Sequence, residues 1–278
     1  MIDYHIHLEN GPLTLEWLGK FWEAAQKRGI SEIGVTEHCH KFQQFKTAFA
    51  YLKEGVDSYE YMRQWLKNDF QTSLDDYLEL LTKAQQKGIP VKIGLEVDYL
   101  SDTEAEIKEI LSNYSFDYII GSVHIIGKWG FDYYPQAWQN QDVYQAYKNY
   151  YAVLYDAVCC DLFDIIAHFD LIKVFGHHSS ISMDQVVDTV LKAMSRRNTC
   201  MEISTAGLRK PVKEIYPTEA ILQKAFTYQI PIVISSDAHY PEDVGADWER
   251  ATKLARRCGY KEYRVFSQRH SFAEKLPK

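Results

Sequence analysis

The sequence predicts an α/β fold in which seven parallel strands and their crossover helices form a barrel-like (β/α)7 sheet, a distorted TIM-type barrel, within a single domain. Two observations predict it. Short apolar runs typical of buried strands alternate with longer stretches typical of helices. Residues that often bind metal ions follow six of the seven predicted strands, and a closed barrel brings the carboxyl ends of all its strands to one rim. An open doubly wound sheet, the competing fold, gathers ligands from only two or three strands.

Each predicted element rests on its local pattern. The strands are predicted at residues 2–5, 32–36, 91–96, 118–123, 164–167, 199–203 and 231–235. Helices are predicted between them at residues 13–28, 74–87, 103–111, 143–158, 183–196, 218–228 and 247–258. This alternation is typical of a parallel sheet with helical crossovers. The run at 164–167 is the weakest strand prediction because it is so short.

Residues 41–73 interrupt the alternation. The segment is rich in Phe, Tyr, Gln and Lys and has few aliphatic residues at a regular period. Loops that follow the strands build the active face of a barrel, which predicts that this insertion covers the site as a lid. A peripheral excursion that only packs against the barrel is the alternative, and the sequence does not separate the two. No linker, repeat or low-complexity tract divides residues 1–278, so one domain is expected.

Composition and charge limit the classes of function. The 278 residues are 46% hydrophobic and 25% charged, as is usual for globular proteins. A formal net charge of −7 without a basic stripe argues against a nucleic-acid partner. The five cysteines form no C-x-x-C pair, which predicts free thiols in a reducing compartment. No run of about 18 apolar residues could span a bilayer, and cleavage of a secretory signal would remove the first histidines, so a cytoplasmic protein without membrane contact is expected. The sequence identifies no protein partner.

The two ends of the chain carry pairs of potential metal ligands with the same spacing. His5 and His7 are two residues apart in the first predicted strand, so both imidazoles point to the same side of it. Asp237 and His239 repeat the spacing just after the last predicted strand. These pairs indicate a metal-dependent hydrolase.

Further candidates follow the strands in between, namely His38, His40, Glu96, His124 and His168. The remaining histidines, His177, His178 and His270, lie at scattered positions. A lone histidine is more often a satisfied core or surface imidazole than a ligand, but the repetition of one context along the chain favours a metal site. Carboxylates together with imidazoles and no thiolate suit Zn²⁺, Mn²⁺ or Fe²⁺.

In their order along the chain, these motifs resemble the PHP (polymerase and histidinol phosphatase) superfamily, and the resemblance covers nearly the whole chain. Several segments are more specific and resemble its histidinol-phosphatase branch: GSVH at 121–124, WGFD at 129–132, AHFDLIK at 167–173 and EISTAGLRKP at 202–211.

The resemblance implies two or three divalent metal ions. His5, His7, Glu96 and Asp237 would hold one ion, and Glu96 would bridge to a second ion held by His124 and His168. His38 and His239 would hold a third. Its remaining ligand is open, because Leu13 and its neighbours include no histidine, and His40 is one candidate.

The resemblance also implies a reaction, the hydrolysis of the phosphate monoester L-histidinol phosphate in histidine biosynthesis. A hydroxide shared by two cations would attack phosphorus, and Asp237 or His239 would protonate the leaving alkoxide. Arg209 and Lys173 are expected to bind the phosphate, although the family pattern has Arg where this chain has Lys173. Glu214 is expected to pair with the substrate amine, and His40 or the aromatic residues of the insertion to contact its imidazole. For these binding residues a solvated surface position is the alternative.

Three other functions remain open. The chain could be another PHP phosphoesterase with a different substrate, a metal-dependent amidohydrolase or deacetylase, or a domain whose metals only stabilise the fold. The segment 207–211 favours the histidinol-phosphatase branch over other phosphoesterases. Phosphate-binding Lys173 and Arg209 argue against an amide substrate. Ligands at every motif argue against a purely structural site, which needs only about four.

Overall fold

Seven of the strands form one parallel sheet whose strands follow in chain order. The computed structural model describes residues 1–54 and 59–277. In chain order its strands are β1 (Ile2–Ile6), β2 (Glu32–Val35), β3 (Val91–Asp98), β4 (Tyr118–Ser122), β5 (Ile125–Ile126), β6 (Trp129–Gly130), β7 (Ile165–Ile166), β8 (Cys200–Ser204), β9 (Ile232–Ser235), β10 (Glu262–Ser267) and β11 (His270–Lys275). The large sheet has the order β1-β2-β3-β4-β7-β8-β9, and each of its neighbouring pairs is parallel. The predicted fold class is confirmed.

The two edges of this sheet meet just beyond the ends of β1 and β9. The amide of His7 donates to the carbonyl of Ala238 at 2.8 Å, and the amide of Ala238 donates to the carbonyl of His5 at 3.1 Å. Ile6 and Ala238 form a parallel bridge. This contact closes the sheet into a barrel and brings the first and last metal-ligand pairs side by side.

All seven predicted helices are present. They are α1 (Leu15–Lys27), α3 (Leu74–Gln86), α4 (Glu104–Ser112), α5 (Val143–Cys159), α6 (Asp184–Arg197), α7 (Glu219–Thr227) and α8 (Trp248–Arg257), and the insertion adds α2 (Glu60–Asn68) between α1 and α3. The side chain of Thr14 caps α1 by accepting a bond from the amide of Trp17 at 3.3 Å. None of the helices in residues 1–54 and 59–277 combines the length and apolar composition that a membrane crossing requires.

Three elements were not predicted from the sequence. Helix α2 lies in the insertion, where no apolar period was visible. Strands β5 and β6 form a two-residue hairpin, and β10 and β11 form an antiparallel hairpin near the carboxyl end. Strands β5 and β6 have two residues each and β11 is largely exposed, so they carry little of the apolar alternation that identifies strands from sequence.

The two ends of the insertion at 41–73 are hydrogen-bonded to each other. The amide of Gln43 donates to the carbonyl of Thr72 at 2.9 Å, and the amide of Thr72 donates to the carbonyl of Lys41 at 3.0 Å. Three phenylalanines of this segment are fully or almost fully buried, namely Phe42, Phe45 and Phe49. The insertion therefore packs apolar side chains into the same core as the barrel, although residues 55–58 of the predicted lid lie outside the described residues.

Buried tyrosines tie the strands of the barrel together. The Tyr118 ring stacks on that of Tyr4 with centroids 5.0 Å apart, and its hydroxyl donates to the Tyr4 carbonyl at 2.7 Å. The hydroxyl of Tyr77 on α3 lies 2.8 Å from the carbonyl of Val35. The buried phenols of Tyr118 and Tyr77 thus each have a hydrogen-bond partner, as is usual for buried tyrosines. The strands below the rim are fixed relative to one another, and so are the side chains they carry at the rim.

Candidate metal centre

The predicted ligands meet at the carboxyl ends of the barrel strands in three overlapping groups. The first cluster is His5, His7 and Glu96; the second cluster is Glu96, His124 and His168; the third cluster is His7, His38 and His239. Within each cluster the potential ligand atoms lie within 4.8 Å of one another. The chain therefore has groups of side chains that could hold metal ions.

Glu96 at the end of β3 joins the first two clusters. Its Oε2 lies 3.4 Å from Nε2 of His5 and 3.5 Å from Nε2 of His7. Its Oε1 faces the other way, 3.6 Å from Nε2 of His124 and 3.3 Å from Nε2 of His168. One carboxylate oxygen thus serves each group of imidazoles, which is the arrangement that a bridging ligand requires.

Asp237 lies between the first and third clusters. Its Oδ1 is 3.3 Å from Nε2 of His7, 3.7 Å from Nε2 of His5 and 3.3 Å from Nε2 of His239. The adjacent β9 and β1 make this contact possible because each places its ligand pair at the same height on the rim.

Two of these residues adopt backbone conformations that residues other than glycine rarely take. His168 has φ of 24° and Asp237 has φ of 50°. Strain of this kind persists only where surrounding contacts hold it, and it is common at functional sites. At Asp237 the contact is Arg209, whose Nη2 donates to the carbonyls of Ser236 at 2.5 Å and Asp237 at 3.1 Å.

Carboxylates bind the second ring nitrogen of several of the imidazoles, and two of them, Glu202 and Asp98, are buried. The pairs are His5 with Glu202 at 2.5 Å, His124 with Asp98 at 2.7 Å and His239 with Glu9 at 2.9 Å, each through Nδ1. Such a bond fixes the tautomer and the orientation of the ring, so that Nε2 faces the cluster. The sequence analysis did not identify these carboxylates, although Asp98 and Glu9 each lie two residues beyond a predicted ligand.

Several polar atoms at the centre are buried and have no hydrogen-bond partner. They include Nε2 of His5 and Nε2 of His7, whereas Nδ1 of His38 lies 2.7 Å from Oε2 of Glu96. Leaving such atoms unsatisfied in a protein interior is unfavourable, and divalent cations among them would use their lone pairs. The donor set of imidazoles and carboxylates therefore fits metal ions.

The charges of the centre also suit cations. Burial by itself would raise the pKa of Glu96, but the charges of His38, His5 and His124 outweigh it and hold that pKa well below its usual range. Burial lowers the pKa of His38 to about 4, and the charge of His7 acts in the same direction. Facing carboxylates outweigh burial at two other imidazoles and raise the pKa of His124 to about 10 and that of His239 to about 9, so a cation bound there would take the place of a proton.

A cavity of about 260 Å³ opens above the clusters. Its lining includes the predicted His38, His40, Glu96, His124, His168, Asp237 and His239, and also Glu9, Lys41, Trp65, Asp132, Tyr133, Leu171, Val174 and Lys210, which the sequence analysis did not single out. Trp65 comes from α2 and Tyr133 from the segment after β6. The insertion therefore forms part of the cavity wall.

Lys173 and Glu214 do not line this cavity. The Lys173 ammonium is buried, with Nζ 3.0 Å from Oδ2 of Asp170 and 2.9 Å from Oε2 of Glu214. The charges of Lys173 and Glu214 neutralise each other in this pair, and their expected contacts with phosphate and with the substrate amine stay a prediction. The loop position was predicted correctly, but the direction of the Lys173 side chain is set by Asp170.

Of the predicted binding residues Arg209 and His40, only His40 lines the cavity. Arg209 is outside the cavity lining, and its Nε lies 3.4 Å from Oδ2 of Asp243 while Nη2 holds the turn at Asp237. His40 does line the cavity, but its Nδ1 is 3.3 Å from Oδ2 of Asp98 and it belongs to none of the three clusters of described residues. His7 groups with His38 and His239 in the third cluster, and His40, one candidate for the remaining ligand of that site, lies outside it.

Comparison with known proteins identifies the family of the chain. The family described as "PHP domain" matches residues 3–206. A protein of Deinococcus radiodurans named "Probable histidinol-phosphatase" is 31% identical over 265 residues, which cover 93% of this chain and 94% of the relative. The Bacillus subtilis protein named "Histidinol-phosphatase" is 28% identical and covers 89% of this chain and 96% of the relative.

The fold is also that of a solved structure. The crystal structure of histidinol phosphate phosphatase from Lactococcus lactis, complexed with zinc, L-histidinol and phosphate, superimposes with a TM-score of 0.77, at 22% identity and with 98% of each chain covered. With ligand clusters at the barrel rim, a family match over most of its length and a relative above 30% identity, the chain belongs to the PHP domain family.

Proposed function

We propose that the chain is a histidinol-phosphatase, a metal-dependent phosphomonoesterase that hydrolyses L-histidinol phosphate to L-histidinol and phosphate in histidine biosynthesis. The observation that carries the proposal is the set of three ligand clusters joined by Glu96 and His7 at the floor of one cavity. Curated relatives covering nearly the whole chain carry the same function in their names.

The proposal includes up to three divalent cations of Zn²⁺, Mn²⁺ or Fe²⁺. We assign His5, His7, Glu96 and Asp237 to the first ion and Glu96, His124 and His168 to the second. We assign His38 and His239 to the third ion, and His7 lies close to both of these histidines. When bound, divalent cations lower the pKa of water and neutralise charge on phosphoryl oxygens. Glu96 would be a ligand of both the first and the second ion.

The residues of the chain then have separate tasks. Asp237 and His239 line the cavity, and we assign them the transfer of a proton to the leaving alkoxide. Lys210 also lines the cavity and is exposed at its mouth, which suits it to attract the phosphate. Arg209 would act by holding the backbone at Asp237 in the conformation that aims its carboxylate at the ions.

We further propose that residues 1–278 work as one catalytic domain in which 41–73 form the wall or lid on one side of the cavity. Two contacts support it. Trp65 of α2 faces the cavity, and Nζ of Lys41 lies 3.0 Å from Oε2 of Glu9, whose other oxygen bonds to His239. The insertion is therefore connected to the third cluster by a short chain of polar contacts.

The first test is the release of inorganic phosphate from L-histidinol phosphate by metal-reconstituted protein. A panel of other phosphate monoesters, a neutral amide and a chelated sample are the comparisons. We expect kcat/KM of about 10⁴ M⁻¹s⁻¹ or more with L-histidinol phosphate and loss of activity on chelation, as for a natural substrate. Slow and indiscriminate turnover would contradict the substrate assignment, and preference for the amide would contradict the reaction class.

A further inference from the structure

One side of the cavity is aromatic. The rings of Trp65 and Tyr133 lie 4.8 Å apart at an angle of 58°, and the rings of Trp65 and His40 lie 4.7 Å apart at 67°. Tilted and edge-to-face contacts of this kind are favourable and hold the rings in place. Because all three side chains line the cavity, they present a continuous aromatic wall to whatever binds above the metal clusters.

The backbone keeps this wall in position. A Cβ at Gly130 would lie 2.6 Å from the sulfur of Met62 and 2.5 Å from the ring of Tyr133, so the absence of a side chain lets α2 pack closely on the segment after β6. The hydroxyl of Tyr61 on α2 donates to the carbonyl of Gly130 at 3.0 Å. On the far side, the Asp98 carboxylate fixes Nδ1 of His40.

One carboxylate beside this wall has an oxygen that accepts no hydrogen bond. Among the described residues that line the cavity, Glu96 and Asp237 face the metal clusters, and Glu9 is bonded to His239 and Lys41. Asp132 differs from them. Its Oδ1 is buried and accepts no hydrogen bond, and its Oδ2 lies 4.0 Å from Nε2 of His124.

We propose that the wall of Trp65, Tyr133 and His40, together with the carboxylate of Asp132, forms the subsite for the leaving-group alcohol. Its chemistry selects a planar aromatic ring that carries an ammonium group nearby. The ring packs against Trp65 and Tyr133, and the ammonium donates to the unpartnered oxygen of Asp132. The inference rests on the proposed function and deepens it, since the amine-binding role moves from Glu214 to Asp132 and the recognition of the ring to the insertion.

The carboxylate of Asp132 and the aromatic wall would bind the alcohol through different interactions. A buried carboxylate oxygen without a partner is unfavourable, and an ammonium donor removes that penalty while keeping its own charge neutralised. An imidazole or imidazolium gains from stacking and from the negative faces of the two aromatic rings. Ligands that lack the amine or the ring lose one contribution and keep the other, so the two halves can be tested separately.

The test measures binding of two alcohols to the metal-reconstituted protein by isothermal titration calorimetry. The ligands are L-histidinol and 3-(imidazol-4-yl)propan-1-ol, which has the same ring but no amine. We expect Asp132→Asn to weaken L-histidinol by roughly 10- to 100-fold, since bonds to charged groups contribute about 1.5–3 kcal/mol, and to change the amine-free alcohol less than about twofold. Metal content is measured in parallel and is expected to stay the same.

Trp65→Leu tests the aromatic half. It keeps an apolar surface but removes the π face, so both imidazole alcohols are expected to bind roughly 2- to 10-fold more weakly, by similar factors. Tyr134→Leu is the matched control, because Tyr134 is an exposed aromatic residue next to Tyr133 that does not line the cavity. It is expected to change neither affinity.

Several outcomes would overturn the inference. Equal weakening of both alcohols by Asp132→Asn would mean that Asp132 acts through His124 and the metal ions. An amine-dependent loss in Glu214→Gln, with none in Asp132→Asn, would return the amine to Glu214. Because these are binding measurements, they are independent of turnover: a protein that binds L-histidinol as described but does not hydrolyse its phosphate retains the subsite and loses the proposed function.

Discussion

Glu202 connects ligands of two different metal clusters, because its Oε1 lies 2.5 Å from Nδ1 of His5 while its Oε2 accepts a bond from the amide of His168 at 2.6 Å. The hydroxyl of Ser235 on β9 also donates to Oε1, at 2.5 Å. Glu202 itself is fully buried. A single carboxylate below the rim therefore sets the ring of His5 and supports the left-handed backbone of His168.

Glu202→Gln is expected to lower metal affinity by roughly 10- to 100-fold, as is typical when a carboxylate that orients a ligand histidine is removed. Glutamine keeps the shape of the side chain, but its amide nitrogen cannot accept a hydrogen bond. Only one of its two terminal atoms can therefore accept from the donors that now bind both oxygens of Glu202. Competition with a chromogenic chelator measures the affinity. Glu219→Gln is the control, since Glu219 pairs with Arg257 on the surface. Unchanged affinity in Glu202→Gln would mean that packing alone orients His5.

The meeting of the potential ligands at one rim could be predicted because the placement of these residues depends on local geometry. The spacing of two residues in His5 and His7 fixes both side chains to one side of a strand, and a barrel brings every strand end to one rim. The same reasoning placed Glu96 and Asp237. Neither step needs knowledge of which residues touch, so alternation and strand position were sufficient.

The rest of the cavity depends on contacts between distant segments. Trp65 lies in an insertion without an apolar period, and Asp132, although it ends the WGFD motif at 129–132, follows a two-residue hairpin whose position in the fold the sequence did not predict. Lys173 shows the same limit in reverse. It follows the predicted strand, but Asp170 and Glu214 draw its ammonium into a buried ion pair. The direction in which a long side chain points depends on contacts between distant segments. The sequence analysis could predict only that Lys173 lies on the loop after the strand.

His38→Ala tests the third cluster. His38 groups with His7 and His239, and removing it leaves too few ligands for a third cation. The expected result is the loss of one bound metal per chain by elemental analysis and a fall in kcat of about tenfold or more, which corresponds to roughly 1.4 kcal/mol of transition-state stabilisation.

His270→Ala is the control for that variant, because His270 is exposed on β11. Should His38→Ala keep its metal content and full turnover, the assignment of a third site to His38 and His239 is wrong.

Arg209→Lys separates two roles of the guanidinium. If Arg209 holds the turn at Asp237, a lysine cannot reproduce the planar fork that donates to two successive carbonyls, and kcat is expected to fall roughly tenfold or more with little change in KM. Steady-state kinetics with L-histidinol phosphate measure both. Arg256→Lys is the control, since Nη2 of Arg256 donates to the Leu276 carbonyl away from the cavity. A rise in KM at constant kcat would instead favour direct binding of phosphate, as the sequence predicted.

The loop that carries Arg209 is itself held by a close approach at Gly207. A Cβ there would overlap the backbone carbonyl oxygen of Glu214 and lie 2.9 Å from the ring of Tyr216. Backbone cannot move aside as the end of a flexible side chain can, so Gly207→Ala is expected to lower the free energy of unfolding by about 1–3 kcal/mol. Urea denaturation, monitored by circular dichroism, measures the change.

Gly19→Ala is the matched substitution in a different setting. Gly19 lies inside α1, and no atom would lie within 4 Å of an added Cβ. That variant is expected to be more stable by about 0.5–1 kcal/mol, because alanine loses less conformational freedom than glycine in a helix. The opposite signs are the test: if Gly207→Ala is as harmless as Gly19→Ala, the loop yields easily, and Arg209 is then not held rigidly enough to fix the backbone of Asp237.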